Sequence, residues 1–90
     1  MITARQMRAA RSLLGWDQRQ LADAAGLSLA TVQRMEASDD TVRGVVESLV
    51  KVVTALEEAG IELIPAGGAS PGGGRGVRLR DENAPIVKAL

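Results

Sequence analysis

The sequence predicts a mainly α-helical protein, a compact helical bundle followed by a C-terminal β-hairpin. Apolar residues recur at helical spacing through most of residues 1–60, and capping residues or glycines bound each such segment. After Gly60, two short segments, IELIP and GVRLR, alternate apolar and polar residues as strands do. We therefore divide the chain into a helical domain (1–60), a hairpin (61–80) and a tail (81–90).

The first helix is predicted to begin after Thr3. Thr3 and Gln6 have the spacing of a capping box, in which each side chain bonds the backbone N–H of the other residue. Gly15 ends the helix, because a left-handed C-terminal cap favours glycine. The apolar stripe of this helix consists of Met7, Ala10, Leu13 and Leu14.

Two short helices joined by a tight turn are predicted next, over about residues 18–25 and 29–37. Asp17 precedes the first of them and is followed by a glutamine at the spacing of a second capping box. Gly26 ends that helix, and Ser28 can cap the next one. The residues predicted to face inward are Leu21, Ala22, Ala25, Val32 and Met35. Because two of them are alanines on the helix predicted over residues 18–25, the helix predicted over residues 29–37 can cross it closely.

The valine-rich segment VVESLVKVVTALEEAG could form a helix or a strand by composition alone. Its polar residues recur at spacings of four, three and four, which is a helical stripe and not an alternating one. These residues are Glu47, Lys51, Thr54 and Glu58. The opposite, apolar face holds Val45, Leu49, Val52 and Leu56. The segment is therefore predicted to be a helix that stops at Gly60, with Glu47 and Lys51 paired one turn apart.

The hairpin and the tail are less regular. Between the two alternating segments lies AGGASPGGGR, so the hairpin is predicted to have a long, glycine-rich tip. The tail, DENAPIVKAL, fits a last helical turn from Pro85 and a disordered end equally well.

The residues that the chain lacks narrow its chemistry. The sequence has no cysteine, so it can form neither a thiolate metal ligand nor a disulfide framework. It also has no histidine, which is the commonest general base in enzymes. We expect no enzymatic activity, no cofactor and no metal site. No apolar run is long enough to span a bilayer, and the N-terminus lacks a signal-peptide pattern. These features predict a cytoplasmic protein with no membrane partner.

The formal net charge is zero, but the charges are unevenly distributed. Residues 1–36 carry five arginines and three acidic residues, a balance of +2. Residues 37–60 have a balance of −3, and residues 61–90 one of +1. The basic excess coincides with the pair of short helices, although it is small beside the strongly basic footprint of many nucleic-acid-binding proteins.

Across the short helices, small residues, a turn glycine, a cap and buried aliphatic residues stand at fixed offsets. The residues of this pattern are Gln18, Leu21-Ala22, Ala25-Gly26-Leu27-Ser28, Thr31-Val32 and Met35-Glu36. Arg11 and Gly15, which precede the short helices, also belong to it. This combination resembles the helix-turn-helix of the phage-repressor (Xre-like) family of bacterial regulators. The resemblance covers roughly residues 3–60, although the stretch after residue 37 is shorter than the family's usual two closing helices. It implies a nucleoid-associated, bacterial transcription regulator that binds double-stranded DNA.

The helix predicted over residues 29–37 would be the one that reads DNA. A helix fits the major groove, where residues near its start reach base edges. Glutamine can form paired bonds to adenine and arginine to guanine, apolar side chains can touch thymine methyl groups, and hydroxyls can bond phosphate or a base edge. The candidate residues at this helix are Ser28, Leu29, Ala30, Thr31, Gln33 and Arg34. The competing interpretation is a solvated helix face or a surface for protein contacts.

The resemblance implies roles for four further residues. It places Gln18 at the start of the second helix, beside the phosphate backbone, and Arg43 in the loop after the third helix, as another backbone contact. It also pairs Arg11 of the first helix with Glu36 of the third. We therefore interpret Arg11 as structural despite its charge; a phosphate contact is the alternative.

The hairpin predicts a homodimer. A lone two-stranded hairpin is marginal in water, and its apolar face needs cover. Pairing of strand 77–80 with its copy would supply that cover, and a two-fold protein could read two half-sites. The predicted interface residues are Ile61, Leu63, Val77 and Leu79. The alternative is a hairpin that folds back onto the chain's own helices and leaves a monomer.

A second class of function also remains open. The chain could be a protein-interaction module, such as an antitoxin or an adaptor, whose hairpin and tail bind a partner protein. Because antitoxins of the resembled family often bind DNA as well, the two functions can coexist. A neighbouring toxin gene would favour the second.

Overall fold

The computed structural model describes residues 2–38, 46–68 and 71–81. Within these ranges the chain forms four helices and then a two-stranded antiparallel hairpin, so the predicted fold class is confirmed. The elements are α1 (Ala4–Leu14), α2 (Gln18–Ala25), α3 (Leu29–Glu36), α4 (Val46–Glu58), β1 (Ile61–Ile64) and β2 (Gly76–Leu79). The predicted loop after α3 and the predicted tail fall almost entirely outside the described residues.

The first three helices begin at the predicted capping residues. The backbone N–H of Gln6 donates to Thr3 Oγ1 at 3.1 Å, and the backbone N–H of Thr3 donates to Gln6 Oε1 at 3.0 Å. Asp17 and Gln20 form the same reciprocal pair, with both distances at 2.8 Å. Ser28 Oγ accepts from the backbone N–H of the residue three positions later, at 3.1 Å. These bonds satisfy N–H groups that a helix start leaves without a partner.

Glycines end α1 and α2, as predicted. Gly15 has φ +68° and Gly26 has φ +69°, in the left-handed region that favours glycine. A β-carbon at either position would meet nothing within 4 Å. Glycine is therefore required at these turns by the backbone conformation and not by lack of space.

One aliphatic and alanine-rich core joins the helices. Met7, Ala10, and all five predicted inward residues of the two short helices are buried. Leu13, which was predicted to belong to the apolar stripe of α1, is 44% exposed instead. The inward arc of α1 is centred on Met7, Ala10 and Leu14, and Leu13 is rotated by about 100° from Leu14 on the helix. Trp16 is partly buried and packs against the core, as a plug between α1 and α2.

The fourth helix follows its predicted faces in the described part. Its buried side includes Leu49, Val52 and Leu56, and Glu47 and Lys51 pair on the outside at 3.5 Å. Val45 lies outside the described residues. Glu57 is also buried, which the apolar pattern did not indicate, because a carboxylate is rarely assigned to a core position.

The two strands of the hairpin pair apolar residues with apolar residues. Ile61 lies opposite Leu79, and Leu63 lies opposite Val77. Between them, Glu62 lies opposite Arg78, and Arg78 Nε donates to Glu62 Oε2 at 2.8 Å.

The chain's own helices cover most of the apolar face of the hairpin. Ile61 and Leu63 are 2% and 6% exposed and belong to the same core as the helices, and Val77 packs against that core. Here β1 packs against α4 and β2 against α1. Ile61 and Leu63 are thus unavailable as the dimer contacts that were predicted, because the cover expected from a second copy comes from the same chain. Leu79 is different, at 49% exposed.

Gln6 connects the hairpin to α1. Its Nε2 donates to the carbonyl of Ile64 at 3.2 Å and to that of Gly76 at 2.9 Å. Ile64 and Gly76 are paired across the two strands, so a single amide group holds both strands against the helix start. Gln6 is itself buried, and its Oε1 completes the capping box.

We expect Gln6→Ala to lower the free energy of unfolding by about 1–3 kcal/mol, because it leaves two partly buried carbonyl groups without this partner. Gln20→Ala is the matched control, since it removes the equivalent capping-box side chain from α2 but touches no strand. Denaturant unfolding measures stability, and amide hydrogen exchange measures protection of β2. Equal effects of the two variants on stability and on β2 protection would contradict the role of Gln6 as a connector.

Candidate nucleic-acid interface

The helix α3 has a fixed inner side and an open outer side. Val32 and Met35 are buried against the core. Of the predicted DNA-binding residues at this helix, Ser28, Ala30, Gln33 and Arg34 are exposed, and Leu29 and Thr31 are partly exposed. All six candidate residues at this helix are thus wholly or partly exposed around its outer side, which we call the α3 outer face.

Gln33 and Arg34 carry the donors and acceptors of the α3 outer face that suit base edges. In the described part of the chain, neither side chain makes a hydrogen bond or an ion pair. By contrast, Arg8, Arg11 and Arg78 are each bonded within the protein. As far as the described residues are concerned, Gln33 and Arg34 thus keep their hydrogen-bonding capacity for a ligand of the α3 outer face.

The two hydroxyl groups of the α3 outer face are partly engaged. Ser28 Oγ and Thr31 Oγ1 are hydrogen-bonded to each other at 2.8 Å. Ser28 Oγ also accepts the capping bond from the backbone N–H of Thr31. Since one hydroxyl proton is used between the two groups, one remains for an external acceptor such as a phosphate oxygen.

Glu36 is the point at which α1, α2 and α3 are joined by polar contacts. Arg11 Nε donates to Glu36 Oε2 at 2.7 Å, and Arg11 Nη2 donates to Glu36 Oε1 at 2.8 Å. Gln18 Nε2, from the start of α2, donates to Glu36 Oε1 at 3.1 Å. Arg8 Nη1 donates to the backbone carbonyl of Glu36 at 2.6 Å. We call this arrangement the Glu36 cluster; it fixes the end of α3 relative to both other helices.

The Glu36 cluster keeps Arg11 charged. The hydrogen-bonded Glu36 carboxylate raises the pKa of Arg11 above its ordinary value, although burial of the guanidinium opposes this. The negative charges of Glu36 and Asp17 raise it further. A group whose pKa is raised by folding contributes stability below its unfolded pKa and loses it as the pH rises through the folded value. For Arg11 that loss lies in strong alkali, so the pair holds throughout the neutral range.

Sequence reasoning missed one member of the cluster and gave another a different role. Arg8 was not singled out, although it stands one turn before Arg11 and can therefore face the same neighbour. Gln18 was predicted beside the DNA backbone, but the structure shows its amide nitrogen bonded to Glu36. Arg43, predicted as a backbone contact, lies outside the described residues.

The described residues contain no group of three or more acidic side chains placed to hold a metal ion. None of their helices has the length and apolarity that a membrane crossing requires.

Comparison with known proteins identifies the fold of the helical part. Residues 3–61 match the family described as "Helix-turn-helix domain", a span that runs from the cap of α1 to the first residue of β1. No curated protein shows significant similarity to the chain. The match covers well over half of the sequence and includes α2, the turn at Gly26 and α3. The chain therefore belongs to the helix-turn-helix domain family, which supports DNA as its partner.

Proposed function

We propose that the chain is a transcription regulator of the phage-repressor (Xre-like) type, which reads specific DNA sequences in the major groove with α3. The observation that carries the proposal is the α3 outer face, where Gln33 and Arg34 are exposed and unpaired within the described residues. Gln33 can form paired bonds to adenine and Arg34 to guanine. Leu29 and Ala30 offer apolar contacts to thymine methyl groups on the same surface.

Phosphate contacts would hold α3 in the groove. Ser28 and Thr31 together keep one free hydroxyl proton at the start of α3. Gln18 stands in the first turn of α2, where the backbone N–H groups lack intrahelical partners, so we assign its backbone N–H to a phosphate oxygen. Arg43 is included on the resemblance alone. Because the side chain of Gln18 is bonded to Glu36, a phosphate bound at the Gln18 backbone would be held in a fixed position relative to the end of α3.

Selection of bound sites from random double-stranded DNA tests the proposal. We expect the full chain to enrich one short sequence motif, because hydrogen bonds to base edges discriminate between base pairs. Binding to DNA without enrichment of any motif would contradict sequence-specific reading. We assign the protein no catalysis and no cofactor, and we propose that it acts on the bacterial nucleoid in the cytoplasm.

We further propose that the regulator acts as a homodimer through its C-terminal strands. The basic balance of residues 1–36 is only +2, so a single copy would make few phosphate contacts and bind weakly at physiological salt. Leu79 of β2 is about half exposed, and β2 has β1 as its only strand neighbour in the described part. Such an edge can add a strand from a second copy.

Sedimentation of three full-length chains at tens of micromolar tests the dimer. We expect the natural chain and Val46→Lys to be dimeric and Leu79→Lys to be monomeric. Val46 is a matched control because it is also a large exposed aliphatic residue, 66% exposed on α4. A monomeric natural chain would contradict the dimer. Dissociation by Val46→Lys alone would move the interface from the strands to α4.

A further inference from the structure

A groove lies between α1 and β2 and includes none of the residues that are proposed to contact DNA, although Gly76 and Val77 belong to the strand that is proposed to pair in the dimer. Its volume is about 550 Å³, which is within the range of pockets that bind small molecules. Thr3 and Gln6 contribute buried polar groups, and Ala9 and Val77 contribute apolar surface from the two elements. The capping box and the bonds from Gln6 to the two strands fix these groups, so the groove is preformed.

The groove is positively charged. Arg5 reaches it from α1 and Arg75 from the residue before β2, and both are exposed. Within the described part of the chain, no acidic side chain lines the groove and neither arginine makes an ion pair. Thr3, the N-cap of α1, lines the groove, so the positive end of the helix dipole lies beside it.

We propose that this groove binds a small ligand through an oxyanion, a carboxylate or a phosphate group, held between Arg5 and Arg75. The planar fork of a guanidinium group matches both oxyanions through paired hydrogen bonds. Ala9 and Val77 would contact an apolar part of the same ligand. The ligand would bridge α1 and the hairpin, the two parts that Gln6 already connects.

Titration of the isotope-labelled full chain tests the groove without DNA, so its outcome is independent of the proposed function. The probes are potassium phosphate and sodium citrate, each compared with sodium chloride at matched ionic strength. We expect saturable shifts of backbone amides around the groove for at least one probe. A response to phosphate alone assigns the phosphate class, and a response to citrate alone assigns the carboxylate class.

Three variants distinguish binding at a specific site from a general attraction of anions to a positively charged surface. Arg5→Gln and Arg75→Gln should each weaken probe binding by about 10- to 100-fold, which is the effect of losing a hydrogen bond to a charged group. Arg19→Gln, which removes an equal charge from an exposed position on α2, should leave probe binding unchanged. Shifts that grow linearly with both probes, or that fall equally in all three variants, would overturn the proposal. Circular dichroism of each variant confirms that it is folded.

Discussion

Replacement of Glu36 by alanine is expected to lower the free energy of unfolding by about 2–3 kcal/mol, because it leaves a partly buried guanidinium without its counter-charge. The Glu36 side chain is 3% exposed and that of Arg11 is 18% exposed, so water can solvate the abandoned Arg11 only in part. Gln18 Nε2 loses its acceptor in the same variant. Thermal and denaturant unfolding measure the effect.

The hairpin provides a matched control for Glu36→Ala. Glu62 also pairs with an arginine, Arg78, but the arginine side chain of that pair is 55% exposed. We expect Glu62→Ala to change stability by less than about 1 kcal/mol, as is usual for exposed ion pairs. Equal losses in Glu36→Ala and Glu62→Ala would contradict a special role for the Glu36 cluster.

A double-mutant cycle assigns the role of Arg11. If Arg11 and Glu36 act as a pair, the double variant should lose less stability than the sum of the losses in Arg11→Ala and Glu36→Ala. An Arg11→Ala protein with normal stability but weakened DNA binding would place Arg11 among the phosphate contacts instead.

Substitution of the α3 outer face is expected to change which DNA is bound. Gln33→Ala and Arg34→Ala should each relax the preference at one or two base positions, at a cost of about 1–3 kcal/mol for each lost pair of hydrogen bonds. Both side chains are exposed, so the variants should remain as stable as the natural chain. Sites selected from random DNA are compared for each protein.

The control for Arg34→Ala is Arg19→Ala, which loses the same charge from an exposed position on α2. We expect Arg19→Ala to select the same motif as the natural chain. If Gln33→Ala and Arg34→Ala also select that motif with unchanged affinity, α3 does not read the sequence.

Local chemistry is the part of this structure that sequence reasoning predicts well. The capping pairs Thr3 with Gln6 and Asp17 with Gln20 depend on residues three positions apart, and their bonds form as expected. The turn at Gly26 and the apolar–polar alternation of each strand depend on similarly short patterns. Such features need no knowledge of how the elements pack.

Contacts between distant segments could not be predicted in this way. The apolar alternation of the hairpin shows that Ile61 and Leu63 need cover, but not whether a second copy or the same chain supplies it. Gln6 meets the carbonyl of Gly76 across 70 positions, and no spacing rule connects them. In the candidate site, the exposure of Gln33 and Arg34 follows from the helical period. The contacts of Arg8 and Gln18 with Glu36, in contrast, form only once the helices have packed.

The separation between the two sides of α3 has a consequence for evolution. Residues that hold the helix in place, such as Val32 and Met35, are different residues from those of the α3 outer face. Single substitutions at Gln33 or Arg34 can therefore accumulate without moving the protein toward its threshold of stability. If α3 reads DNA as proposed, gene duplicates of this chain could diverge in their DNA targets while the scaffold stays unchanged.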